Sequence, residues 1–355
     1  MSEVATKKRT PVKRWIILAM ILLGIYAAFI GPSILKPLSP TIILPAEEVG
    51  LSIGGFHITN TIIATLLTDF LVILMAIGAI RFARSGKLVP DGFYNAFEAI
   101  VEFLWTSVEG SAGKWAKRIF PIPATIFILV FVANMIRLVP GFEAIGGIKE
   151  AHEEGYAPVA LFNIGSLTFY TLDKSQPVMH EASDSEGTAD TSHEAEATTV
   201  SGVPCKACEI VPWLRGSSTD LNFTFALAII AVVSTQIYGI WALGLPYLEK
   251  FFQFRQLISG GIFGVINFAV GFLEIILEFA KILSFGFRLF GNVFAGSLLL
   301  VIVGTLTAVV VPAGLYLFEI FFGIIQAYVF FLLATVFISG ATVSHHGGDH
   351  GEEHH

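Results

Sequence analysis

Charge is what this chain has least of. Only 14% of its 355 residues are charged, against about 25% in an average soluble domain. A water-soluble globule of this length needs more polar surface than that, so a soluble multidomain protein is excluded. Cysteine is nearly absent as well: two residues cannot build a disulfide framework. Basic stripes with interleaved aromatics are missing and the net charge is −7, so no nucleic-acid partner is expected. Histidines inside apolar runs, the ligands a haem-binding subunit would need, are also missing; His57 alone lies near one. No cofactor and no metal site are expected.

Apolar residues make up the balance, at 54%. About 20 of them in a row cross the hydrocarbon of a bilayer. Uncharged runs of that order cover Trp15–Leu35, Ile119–Ile136, Leu221–Leu248, Gln256–Leu273, Leu289–Phe318 and Ile320–Ser344, and Ile58–Ile80 carries only Asp69. The expected fold class is all-α, a polytopic transmembrane helical protein with a long tilted helical hairpin at its C-terminal end.

Lysine and arginine orient the spans. Five bases between Lys7 and Arg14 precede the first run, and six lie between Arg81 and Arg118. Both stretches are therefore assigned to the cytoplasm. The run Trp15–Leu35 reads either as a retained anchor or as a cleaved signal peptide; if retained, both termini are cytoplasmic. Phe93, Phe97, Ile100, Val101 and Leu104 recur at helical spacing beside Glu98, Glu102 and Glu109, as in an amphipathic helix at a membrane surface.

Three regions follow. Residues 1–50 hold the basic segment and an extra span. Residues 51–344 form the membrane domain, with an acidic outer-face insert at about 143–218. Residues 345–355 are a His-rich cytoplasmic tail, best read as solvated. Residues 143–220 carry 13 acids against 4 bases, and Glu181–Thr199 has the composition of disorder. Cys205 and Cys208 stand in this loop as a C-K-A-C pair, open to a local disulfide or to two unpaired thiols.

The informative stretch is LEIILEFAKILSFGFRLFGNVFAGS, residues 273–297. Glu274, Glu278, Lys281, Arg288 and Asn292 fall within roughly 80° of one helical face at 100° per residue. No turn signal interrupts them, so one continuous helix from about Gly264 to Val311 is expected, about 72 Å long at 1.5 Å per residue. An ionisable group at membrane depth costs about 2.5–3.5 kcal/mol on insertion scales and marks function by default. Arg288 cannot escape by losing its proton. Lys281 has Glu278 as an i−3 neighbour to pair with. Glu319 and Gln326 share a face of the last span, and Pro312 with Gly314 supplies the expected turn between the helices. Asp69 is a further intramembrane acid, and Arg137 is placed at an interface.

At these residues the chain resembles subunit a of the F-type ATP synthase. The likeness rests on FGFRLFGNVFAG, with Arg288 and Asn292, and on Gln326 in IIQAYVFFLLATVFIS. ITNTIIATLLTD, VPDGFYNAFEAIVEF, IPATIFILVFVANMIRLVPG and STDLNFTFALA support it over roughly residues 50–344. The resemblance implies a non-catalytic stator subunit in a bacterial plasma (inner) membrane. Its partners would be the c-ring, the subunit b peripheral stalk, the remaining synthase subunits and membrane lipid.

By the same resemblance, Arg288 separates two proton half-channels and meets the c-ring carboxylate, Gln326 faces Arg288, and Asn292 and Glu274 line aqueous paths. Glu278, Lys281, Ser297 and Asp69 are second-line candidates. Many relatives carry an acid at the position of Ser297 and a His at that of Glu319, so the carboxylate has changed helices here. The competing class is an autonomous proton-coupled secondary transporter, which would call for repeats and broken helices; neither is visible.

Overall fold

In the computed structural model the described residues are Leu22, 46–84, 92–139, 141–143, 145–150, 154–164, 167–179, 205, 207–251, 261–307 and 310–343. The Trp15–Leu35 run, the Glu181–Thr199 segment and the His-rich tail lie outside them, apart from Leu22.

The fold is helical and polytopic. Its elements are β1 (Glu48–Ile53), β2 (Phe56–Thr59), α1 (Asn60–Arg84), α2 (Phe93–Ala112), α3 (Ala116–Ile119), α4 (Pro121–Arg137), β3 (Gly146–Glu150), β4 (Glu154–Ile164), β5 (Leu167–Met179), β6 (Cys208–Pro212), α5 (Leu221–Leu243), α6 (Gly261–Thr307) and α7 (Val310–Ala341). Among the described residues, four helical stretches are long and apolar enough to cross a membrane: Asn60–Arg84, Leu221–Leu243, Phe268–Gly304 and Val311–Ala341. The pair Phe93–Ile119 and Pro121–Arg137, bent by 96°, is a fifth candidate if counted as one span.

Local chemistry sets the element ends. Gly54 and Gly55, both with positive φ (61° and 85°), make the two-residue turn between β1 and β2, which only glycine-like residues adopt without strain. Pro121 opens α4, where its missing N–H costs nothing. Asp220 caps α5 by accepting from the Asn222 N–H at 2.8 Å. The expected run Leu221–Leu248 stops as a helix at Leu243, because Gly244 turns away at φ 72° and Pro246 follows.

The polar stripe does lie on one continuous helix: α6 has 47 residues, about 70 Å of rise. That exceeds a 30 Å hydrocarbon slab, so it must tilt, bend or leave the bilayer. One expectation is corrected. Pro312 and Gly314 are not in the turn between α6 and α7 but inside α7, which starts at Val310. A proline in the first helical turn breaks no intrahelical hydrogen bond and is tolerated there.

The chain divides into two compact units. Among the described residues, one comprises the outer insert up to Trp213 together with Gly296–Glu319; the other holds Leu44–Glu143, Leu214–Ala295 and the part of α7 from Ile320 on. In the first, the expected loop is a four-stranded antiparallel sheet in the order β3-β6-β4-β5. Tyr156, Leu172 and Cys208 form its small core, and Cys205 and Cys208 are disulfide-bonded. Pro177 sits in β5, an edge strand where a missing N–H is harmless.

In the second unit α2, α4, α5, α6 and α7 share one core. It includes Leu104, Val130, Ala228, Leu289, Phe330 and Phe331, all at most 1% exposed. Phe285 of α6 packs on Phe330 and Phe337 of α7, with ring centroids 4.9 and 5.6 Å apart. This antiparallel contact brings Lys281 and Asn292 of α6 against α7.

Candidate functional site

The polar stripe of α6 is not uniformly placed. Glu278 is buried, Glu274, Lys281 and Asn292 are half-buried, and Arg288 is exposed. Lys281 Nζ donates to Glu278 Oε1 at 2.8 Å, the i,i+3 pairing read from spacing. The same ammonium lies 4.9 Å from the Phe337 ring centroid of α7, a cation–π contact that fixes its direction.

Arg288 makes one polar contact among the described residues, a long one of 3.4 Å to Ser284 Oγ on its own helix. It therefore presents a permanent cation on an exposed face flanked by apolar side chains such as Phe287. Gln326 is 4% exposed and does not hold Arg288. Its Oε1 instead accepts from Asn292 Nδ2 at 3.0 Å. The reason is register: Arg288 and Asn292 are one turn apart on α6, and the packing of Phe285 against Phe330 sets Gln326 opposite the later of the two.

Glu319, in the other unit, is 9% exposed on α7. Its carboxylate lies directly over Gly296 of α6, where an added Cβ would overlap Oε1. The neighbouring residue is Ser297, half-buried. A carboxylate from α7 thus occupies space beside the Ser297 position of α6.

Asp69, on α1, is half-buried, and among the described residues it makes no hydrogen bond or ion pair with these groups. Among the described residues no group of three or more His, Cys, Asp or Glu could hold a metal.

Several polar residues belong with these but carry a weaker sequence signal. Asn134 of α4 is 1% exposed and donates from Nδ2 to the Gly323 carbonyl of α7 at 3.2 Å. A lone amide within an apolar run was its signal. Tyr247, just past α5, is 5% exposed and donates to Gln236 Oε1 at 2.9 Å. Burial first, and then the Glu278 and Glu274 carboxylates, push its phenol up to about 12. Tyr247 falls at the end of the expected run Leu221–Leu248, but nothing in its spacing marks it as a neighbour of α6.

Arg137, expected at an interface, is 8% exposed and packs its side chain against Gly216. Ser217, Ser218 and Thr219 are buried next to it in sequence and Asp220 follows. Thr61 Oγ1 of α1 donates to Asp220 Oδ2 at 2.7 Å, so one aspartate caps α5 and ties it to α1.

Four or five apolar helical stretches long enough to cross a bilayer, one of them carrying a stripe of ionisable residues, define a multi-pass membrane protein. The family model described as "ATP synthase A chain" matches residues 61–339. The chain belongs to that family, and so is a membrane subunit of an ATP synthase complex, with ATP synthesis and ion transport as its setting.

Two relatives extend over most of both chains and a third over about half. ATP synthase subunit a of Geobacter sulfurreducens is 26% identical over 283 residues, covering 80% of this chain and 89% of that protein. "ATP synthase subunit a, sodium ion specific" of Propionigenium modestum is 25% identical over 300 residues, 83% and 78% of the two chains. ATP synthase subunit a of Myxococcus xanthus is 33% identical over 158 residues, 41% and 50% of the two.

Proposed function

We propose that this chain is the proton-translocating stator subunit of a rotary F-type ATP synthase, standing against the c-ring and held by subunit b. The observation that carries the reading is Arg288. It is a charge that cannot be neutralised, exposed on the span Phe268–Gly304 and without a carboxylate partner among the described residues.

A cation in that setting seeks an anion from another chain. A ring carboxylate brought against it has its pKa lowered and releases its proton. The same charge repels a proton moving directly between the two sides. Each proton crossing 100 mV supplies about 2.3 kcal/mol to the motor.

Glu319 and Glu274 serve as the carboxylates of the two half-channels, and Asn292 with Gln326 forms a neutral hydrogen-bonded pair beside Arg288. Glu278, Lys281, Ser297 and Asp69 act at second line. The membrane is the bacterial plasma membrane, with the stretch 81–118 on its cytoplasmic side.

Arg288→Ala in membranes holding the assembled complex tests this. ATP-driven, protonophore-sensitive acidification should be abolished while the complex still assembles. Pumping at normal coupling in the variant would overturn the reading. Acidification that requires Na⁺ in the wild type would reassign the ion.

A further inference from the structure

The C-terminal end of α2 and the bend that follows it bring together three cations and two indoles that the ion path does not use. Lys114, Lys117 and Arg118 are all exposed, and none has an ion-pair partner among the described residues. The Arg118 guanidinium carbon lies 5.1 Å from the Trp115 ring centroid and 4.8 Å from that of Trp241. The two indoles meet edge to face, 5.9 Å apart and at 70°, so Arg118 sits in the corner between them. Tyr238, 5.8 Å from Trp241 between ring centroids, donates its hydroxyl to the Arg118 carbonyl at 2.7 Å. The arginine is held at its backbone and stacked at its head, while its fork of N–H donors remains exposed.

Location narrows the ligand. Trp241 is 57% exposed and lies two residues before the end of the span Leu221–Leu243, the level at which aromatic residues meet lipid headgroups. The segment Phe93–Ile119 is bent 96° from α4 and has the apolar spacing of an amphipathic helix; its end sets Arg118 against Trp241, with Lys114 and Lys117 beside it in sequence. Ile237, one turn before Trp241 on the same face, is 58% exposed and continues the indole surface into the apolar zone.

We infer that Lys114, Lys117 and Arg118, with Trp115 and Trp241, form a binding site for the phosphodiester headgroup of an anionic phospholipid, one acyl chain lying along Trp241 and Ile237. A planar guanidinium matches phosphate oxygens in pairs, and each base near the surface adds about 1 kcal/mol, or about fivefold, in affinity for anionic lipid. The site is independent of the channel reading and would stand if that reading fell.

The test uses the full-length chain reconstituted in vesicles whose acyl chains are brominated, either on phosphatidylglycerol or on phosphatidylcholine, in an unbrominated background. The part of tryptophan quenching lost in Trp241→Phe reports the site. Brominated phosphatidylglycerol should quench that component with at least fivefold higher apparent affinity than brominated phosphatidylcholine. The preference should fall to about onefold in K114Q/K117Q/R118Q and be intermediate in R118K, which keeps the charge and the fold but loses the planar fork.

Equal quenching by the two lipids in the wild type, or an undiminished preference in the triple variant, overturns the inference. Loss of the preference on adding inorganic pyrophosphate, but not sodium chloride of equal ionic strength, would assign the site to a soluble phosphate. Loss of the preference in the assembled complex alone would assign it to an acidic segment of another subunit. Either of those two outcomes also overturns the lipid site.

Discussion

Asn292 and Gln326 meet across the α6–α7 hairpin, the Asn292 amide donating to the Gln326 carbonyl oxygen at 3.0 Å. Gln326 is buried and Asn292 half-buried, so the bond replaces hydration that neither group can fully recover. It fixes the register of the two helices one turn from Arg288. Truncating one partner strands the other, so Asn292→Leu and Gln326→Leu should each destabilise by about 1–3 kcal/mol while the double variant loses less than their sum. A double-mutant cycle on thermal unfolding of the purified chain should give a coupling of about 0.5–1.5 kcal/mol. Strict additivity would mean that the bond does not form.

Glu319 depends on a glycine for its place. Gly296→Ala should gain about 1 kcal/mol of helix propensity in isolation, but its Cβ would overlap the Glu319 carboxylate. If Glu319 carries protons, Gly296→Ala should therefore lower ATP-driven pumping towards the level of Glu319→Gln. Gly304→Ala is the control, since the closest atom to its added Cβ is Pro312 Cγ at 4.0 Å. Equal pumping by the two alanine variants would show that the carboxylate's position does not matter.

The charges on α6 were legible because they keep helical spacing through an apolar run with no turn signal, which disfavours a hydrated loop between two spans, and the helix that carries them is continuous from Gly261 to Thr307. Spacing within one helix says nothing, however, about its register on the next. Gln326 consequently met Asn292 rather than Arg288. The same gap hid Asn134, whose partner is a carbonyl 189 residues away. Arg137 read as interfacial because a base ends an apolar run there, yet its packing surface at Gly216 is remote in sequence. The outer insert reads as acidic loop because composition averages over it, whereas its sheet rests on a core as small as Tyr156, Leu172 and Cys208.

Asp220 performs two tasks with its two oxygens, capping α5 through the Asn222 N–H and accepting from Thr61 of α1. Asp220→Ala should lose both, costing about 2–3 kcal/mol. Asp220→Asn, which retains an acceptor for the cap, should cost about half as much. Thr61→Val should leave the cap intact and remove the tie to α1 together with the 3.0 Å contact to Thr59 Oγ1, at a cost of about 1–2 kcal/mol. Thermal melts of the three variants check the order, and a neutral Asp220→Ala would refute the double role.

Tyr247 should make the fold sensitive to alkali in a defined window. Its phenol ionises near 12 when folded, against 10.0 in the ordinary case, with burial as the main cause and Glu278 and Glu274 adding to it. Between those values the unfolded chain has released the proton while the folded chain still holds it. Stability is therefore unaffected below about pH 10 and falls as pH rises towards 12, by up to about 3 kcal/mol. Tyr247→Phe should lose about 1 kcal/mol at neutral pH with its hydrogen bond to Gln236, but its stability should decline less steeply above pH 10. Unfolding followed at pH 8, 10 and 12, alongside the phenolate absorbance difference between wild type and variant, measures both. A wild-type phenolate that appears at pH 10 would show that Tyr247 is hydrated and does not feel the α6 carboxylates.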